Sequence, residues 1–171
     1  KPLLPLYEAV VNSIQAIEDA ETRDGRITVD VIRDPHNLLQ DQAPELSEIT
    51  GFSVTDNGVG FNERNFMAFD TADTTYKAER GGKGIGRFFW LVAFGRVEVA
   101  SRFHEGGEWS RREFRFSVDG DGVHDMSLTA ASEESCLTTV RLLDYQEKYR
   151  RQCPRKLETI AKHLVEHCLE F

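Results

Sequence analysis

Glu8-Ala9-Val10-Val11-Asn12-Ser13-Ile14-Gln15-Ala16 is the stretch on which the reading of this chain turns. Leu3, Leu6, Tyr7, Val10, Ile14 and Ile17 recur around it at helical spacing, and Pro2 and Pro5 fall where a first turn tolerates proline. A helix from about residue 3 to residue 20 is therefore expected. Its opposite side carries Glu8, Asn12, Gln15 and Asp19 at steps of three and four, so Glu8 and Asn12 stand one turn apart and point the same way. Such a polar stripe either faces water or lines a cleft.

Downstream, Asp24-Gly25 turns the chain into Arg26-Ile27-Thr28-Val29-Asp30-Val31-Ile32, which alternates as a strand does, and a polar loop spans Asp34 to Glu48. Ile49 to Thr55 reads as a second strand whose Phe52 and Val54 share a face with Asp56, so it ends on a carboxylate beside apolar neighbours. Asp56-Asn57-Gly58-Val59-Gly60 follows directly. Asn62 caps a short helix through about Asp70, and the polar stretch 71–83 reads as a mobile lid. Gly81-Gly82-Lys83-Gly84-Ile85-Gly86 then opens an apolar helix containing Phe88-Phe89-Trp90-Leu91-Val92-Ala93-Phe94. Four strands come next, Arg96 to Phe103, Trp109 to Val118, Val123 to Leu128 and Cys136 to Leu143, as an antiparallel meander with turns at Glu105-Gly106-Gly107 and Asp119-Gly120-Asp121-Gly122. A last helix from about Pro154 places Leu157, Ile160, Ala161, Leu164, Val165 and Cys168 on one stripe.

With 171 residues and 40% hydrophobic content, a single compact α/β unit is the expectation for residues 1–171. A net charge of −8 opposes whole-domain attraction to nucleic acid or anionic lipid but leaves room for a local basic site. Cys136, Cys153 and Cys168 are odd in number and too far apart for paired CxxC ligation, which favours free thiols and a cytoplasmic origin. No apolar run is long enough to span a bilayer, so no membrane partner is expected. The chain opens at Lys1 and runs straight into a helix, as a fragment of something longer would.

Taken together, three segments describe a pocket for adenine, magnesium and a polyphosphate. An adenine amino group is a donor that a buried carboxylate can hold, whereas guanine places an acceptor there, so Asp56 suits adenine. Gly58 and Gly60 let the backbone turn sharply and let a flat ring approach, although Asn57-Gly58 is also a hairpin signal. Gly81, Gly82, Lys83, Gly84, Ile85 and Gly86, just before a helix, can supply backbone amides to phosphates; the bland alternative is a surface turn. Lys77, Lys83 and Arg87 could offset phosphate charge or simply be solvated. Magnesium takes few protein ligands besides phosphate oxygens, so the Asn12 amide would suffice, and Glu8 could accept a proton from the attacking water. Against this stands the reading of Glu8 and Asn12 as a solvated helix face.

In this order, Glu-x-x-x-Asn-Ser-x-x-Ala, Asp-x-Gly-x-Gly and Gly-x-x-Gly-x-Gly resemble the motifs of the GHKL superfamily, from Leu4 to about Leu143. That family includes gyrase B, the ninety-kilodalton heat-shock chaperone, sensor histidine kinases, MutL proteins and the MORC ATPases. The resemblance implies a Bergerat fold, a two-layer α/β sandwich with helices on one face of a mixed, mostly antiparallel sheet. It implies roles as well: Asp56 for the adenine amino group, Asn12 for magnesium, Glu8 for the water, and the segment Gly81 to Gly86 for the phosphates. Thr138, in Leu137-Thr138-Thr139-Val140, resembles the family's later threonine, which assists adenine through a water beside the aspartate.

Histidine kinases commonly have asparagine four residues before the magnesium asparagine, whereas the hydrolysing branches have glutamate, as here at Glu8. Lys83-Gly84-Ile85-Gly86-Arg87-Phe88 looks closest to bacterial chaperone-like or MORC-like proteins. By resemblance, then, the expectation is an ATPase, slow in isolation, whose cycle closes a clamp or an ATP-dependent homodimer in a larger protein that handles a client protein or DNA. A kinase-type catalytic domain and an interaction module ordered by ATP or ADP without turnover are the alternatives. His163-Leu164-Val165-Glu166-His167 fits a zinc-peptidase pattern, but too little chain follows to supply a further ligand, so a helix face is preferred.

Overall fold

A computed structural model describes residues 1–34, 47–70, 86–117 and 122–169, with backbone alone for residues 86–88. The expected lid, Lys77, the segment from Gly81 to Ile85, most of the 34–48 loop and the Asp119-Gly120-Asp121 turn lie outside the described residues.

In chain order the elements are α1 (Leu4–Asp19), β1 (Ile27–Arg33), β2 (Ile49–Asp56), α2 (Glu63–Asp70), α3 (Gly86–Ala93), β3 (Phe94–Glu105), β4 (Glu108–Ser117), β5 (Gly122–Ala130), β6 (Leu137–Tyr145), α4 (Glu147–Arg150) and α5 (Leu157–Cys168). One six-stranded sheet has the order β1-β2-β6-β3-β4-β5, and every pair is antiparallel. The expected meander holds for β3, β4 and β5 only. Instead of pairing with β5, β6 crosses back and inserts between β2 and β3. That crossing joins the two halves of the sequence and pairs β6 along both of its edges.

Alternation decides which face is covered. Phe52 and Val54 of β2, Val97 and Val99 of β3, Phe114 and Phe116 of β4, and Val140 and Leu142 of β6 are all buried. The intervening frame carries Arg96, Glu98, Arg115 and Arg141, with Glu98 3.7, 3.7 and 3.3 Å from Arg96, Arg115 and Arg141 respectively. Hence the helices pack on one face and the other is polar, as a two-layer α/β sandwich requires. Phe61, Phe66 and Phe69, in and just before α2, meet Phe114 with ring centroids 5.3–5.4 Å apart, which ties α2 to β4.

Helix α1 starts at Leu4, and Leu3, Leu6, Tyr7 and Val10 are buried as the spacing requires, while Ile14 and Ile17 are only half-buried. Asn62 Oδ1 accepts from Asn65 N at 2.9 Å, the expected cap of α2. Phe94 belongs to β3 rather than to the apolar helix, because its backbone already pairs opposite Tyr145. The last helix departs further from expectation. Ile160 is buried and Leu164 and Cys168 are half-buried, but Leu157 and Val165 are more than half exposed and Ala161 is also exposed. The helix rests on α1 along a narrower stripe, marked by the His167 ring stacked 4.4 Å from Tyr7. All three cysteines are free. No helix among the described residues is long and apolar enough to cross a membrane.

Candidate functional site

Strand β2 delivers Asp56 to the edge of the core, where it is 4% exposed. Ser13 Oγ donates to its Oδ2 at 2.8 Å, and Gly58 N donates to its Oδ1 at 2.9 Å. The second bond closes the local turn that aspartate forms with an amide two residues on. Burial pushes the Asp56 pKa up, and the bonds from Gly58 and Ser13 pull it part of the way back. Neither bond uses all the acceptor capacity of its oxygen, so a further donor can be received.

The first two motifs touch each other. Val59 N donates to Ala16 O at 2.9 Å. A Cβ on Gly58 would lie 2.5 Å from the carbonyl carbon and 2.7 Å from the Cβ of Ala16, so glycine there is demanded by α1 whatever a ligand asks. Gly60 has φ +76°, the sharp turn expected of it. Asn57 does not open a hairpin: its Oδ1 accepts from Arg26 N at 2.7 Å and its Nδ2 donates to Asp24 O at 2.9 Å, pinning the start of β1.

Across the sheet the register aligns Asp56 with Thr138, Thr138 with Ser101, and Ser101 with Arg112. The next rows, Val54, Val140, Val99 and Phe114, then Phe52, Leu142, Val97 and Phe116, are apolar throughout. One polar row thus crosses four strands of an otherwise apolar face. Apart from Ser47, the buried polar side chains among the described residues are these four and Ser13. Ser101 Oγ lies 2.8 Å from Thr138 Oγ1 and accepts from Phe61 N at 2.9 Å. Arg112 donates through Nη1 to Phe61 O at 2.8 Å and Asn62 O at 3.0 Å, and through Nη2 to Glu63 Oε2 at 2.6 Å. The turn after Gly60 is therefore held from both sides, with Asn65 Nδ2 donating to Gly60 O at 2.9 Å as a third tie.

Of the expected site residues, Asp56, Gly58, Gly60 and Thr138 come together at this row. Glu8 is half-buried and Asn12 exposed on α1, the helix that also reaches Asp56 through Ser13. Gly86 opens α3, and Gly81, Gly82, Lys83, Gly84 and Ile85 fall outside the described residues. A shallow depression of about 510 Å³ lies elsewhere, against Glu108, Trp109, Ser110, Leu128 and Ala130, and none of these site residues lines it. Ser101 and Arg112 had no place in the sequence reading. Their signal was there: each stands in frame with alternating buried residues, Val97-x-Val99-x-Ser101 and Arg112-x-Phe114-x-Phe116.

No protein-family profile matches the chain, and no curated protein matches it by sequence. Among solved structures it is similar to the ATPase region of Saccharomyces cerevisiae topoisomerase II, with a TM-score of 0.55 and 14% identity over 87% of this chain. A structure of that region bound to ICRF-187 (dexrazoxane) also matches, with a TM-score of 0.55 and 14% identity over 86% of this chain. In both cases this chain spans 39% of the solved chain. What these likenesses show is the fold, a two-layer α/β sandwich of the Bergerat type.

Proposed function

We propose that this chain binds ATP with magnesium and, within a longer protein, hydrolyses it slowly to ADP and phosphate to drive closure of a clamp or dimer. The observation that carries the reading is Asp56: a buried carboxylate with no cationic partner among the described residues, bonded only by Ser13 and Gly58. An isolated buried acid is costly to keep, and a ligand amino group would repay that cost. The fold's likeness to an ATPase region supports the same ligand.

The donor set fits. Asn12 would hold magnesium through its amide oxygen, and the cation, when bound, offsets polyphosphate charge. Asp56 would accept the adenine amino proton, with Thr138 beside it. Glu8 would take the proton of the attacking water on its carboxylate, and glutamate at that position favours hydrolysis over transfer to a histidine. Gly86 and the segment before it would cradle the phosphates.

Calorimetry with ATP, ADP and GTP, with and without magnesium, on wild type and Asp56→Asn tests this. ATP and ADP should bind, GTP at least tenfold more weakly, and Asp56→Asn should lose about tenfold or more in ATP affinity. GTP binding equal to ATP would refute the role of Asp56.

A further inference from the structure

The two edges of the sheet are unlike. β1 carries the exposed charge of Asp30 at its middle, and such charges keep other strands from adding to an edge. β5, last in the order, has only β4 beside it among the described residues. Its second half, Met126-Ser127-Leu128-Thr129-Ala130, holds no charge and is exposed at every residue, so a row of main-chain N–H and C=O groups stands open to a further strand. A register shift opposite residues 113–115, with Asp125 at φ +53°, sets this run off from the first half of the strand.

Alternation puts Leu128 opposite Arg112 and Ala130 opposite Ser110, which in turn stands opposite the buried Phe103, so these side chains belong to the helix-covered face. Yet α2 packs over β4, one strand short of them. Met126 is 58% exposed and Leu128 55%. At the Ala130 end lies the depression of about 510 Å³, lined by Leu128, Ala130 and Ser110 and by the carboxylates of Glu108 and Glu134. Both glutamates are exposed, and neither has a cationic partner among the described residues. Glu105 faces Glu108 across the β3–β4 pair, a like-charge opposition that costs stability. Arg112, the nearby cation, commits Nη1 and Nη2 to Phe61 O, Asn62 O and Glu63.

An open edge accepts an extended chain through main-chain hydrogen bonds, and the spaces beside it read alternate side chains. Here the space is acidic, with apolar surface one step along. A second copy of the same edge has no cation in residues 126–130 to offer the acidic corner, and two chains of net charge −8 repel each other. We propose that this edge and depression bind an extended basic segment of a partner protein, which pairs with residues 126–130 as a seventh strand and lodges a lysine or arginine beside Glu108 and Glu134. Because side chains two apart share a face, an apolar residue two positions from the basic one rests on Leu128. Nothing in this depends on ATP, so failure of the nucleotide reading leaves it standing.

The test is phage display of random nine-residue peptides on the folded chain, followed by titration calorimetry of the selected sequences as synthetic, end-blocked peptides. They should carry lysine or arginine two positions from valine, isoleucine or leucine. Glu108→Gln combined with Glu134→Gln should weaken them by about three- to tenfold, and salt at about 0.5 M should weaken binding to wild type as well. On binding, amide hydrogen exchange should slow at residues 126–130. In an added strand alternate peptide amides point at the edge, so N-methylation in one frame should abolish binding and in the other leave it within about threefold. That arm uses wild type and needs no variant to fold. Selection of no peptide, selected peptides without a basic residue, indifference to the double substitution, or equal response to both methylation frames overturns the proposal. So does slowed exchange at residues 126–130 that appears with rising protein concentration and no peptide, which would assign the edge to a second copy.

Discussion

The hydroxyl of Ser13 donates to Asp56 Oδ2 at 2.8 Å, joining residues 43 apart in sequence and fastening α1 to the end of β2. Hydrogen bonds to charged groups contribute about 1.5–3 kcal/mol. Ser13→Ala should therefore lower unfolding free energy in urea by about 2 kcal/mol. It should also raise the Asp56 pKa further, since Ser13 is one of the two bonds that pull it down. Carboxyl titration by NMR reads the second effect, and an unchanged Asp56 would mean that the bond is not made in solution.

Gly58 meets backbone rather than a yielding side chain. Its alanine variant would place a Cβ 2.5 Å from the Ala16 carbonyl carbon, so relief requires α1 to move away from β2. A loss of about 2–3 kcal/mol is expected. Gly25→Ala should cost less, because its near neighbour, the Ile17 Cγ2 methyl at 2.4 Å, is met from an exposed turn that can shift, whereas Gly58 lies against helix backbone. Equal costs in chemical denaturation would show that the Gly58–Ala16 contact is looser than described.

Asp56 should also mark the pH dependence of stability. Its native pKa is raised above 3.8, so the folded state holds the proton more tightly than the unfolded one. The resulting stabilisation is complete below about pH 3.8 and is lost as the pH rises through the native value. Asp56→Asn removes this dependence while leaving both bonds geometrically available, the Ser13 hydroxyl turning to accept. Thermal melts from pH 3.5 to 7 should show wild type gaining on the variant as pH falls, with the variant at least as stable at pH 7. The opposite slope would contradict the burial effect.

Glu8→Ala separates binding from chemistry. Glu8 makes none of the contacts that bind Asp56, so magnesium-ATP affinity should change less than about threefold, while turnover by the longer protein should fall by about a hundredfold or more. Unaltered turnover would remove Glu8 from the proposed mechanism. A parallel loss of ATP affinity would move it to the binding set.

Much of the fold was legible because its signals are local. The period of α1, the alternation of β1 to β6 and the Asn62 cap each depend on residues a few positions apart, and each is found where expected, within a residue or two at most ends. The place of β6 was not legible. Nothing in Leu137 to Tyr145 distinguishes a strand that continues a meander from one that returns between β2 and β3, since both bury the same alternate residues. The stripe on α5 failed for a related reason: helical spacing reports which residues are apolar together, not how wide a neighbour will cover them. Ile160 is buried in the core, while Leu157 and Val165 are left to solvent.

The sequence by itself determined that an acid ends a strand, that small residues follow it, and that Glu8 and Asn12 share a helix face, because each is a matter of spacing within one element. Only the tertiary structure decided what surrounds that acid. Strand register, a long-range property, brings Thr138, Ser101 and Arg112 into line with Asp56, and close packing of α1 makes Ala16 and Gly58 a matched pair. A polar side chain's partners and the direction of its proton depend on which strands lie side by side, and no periodicity along a single segment records that.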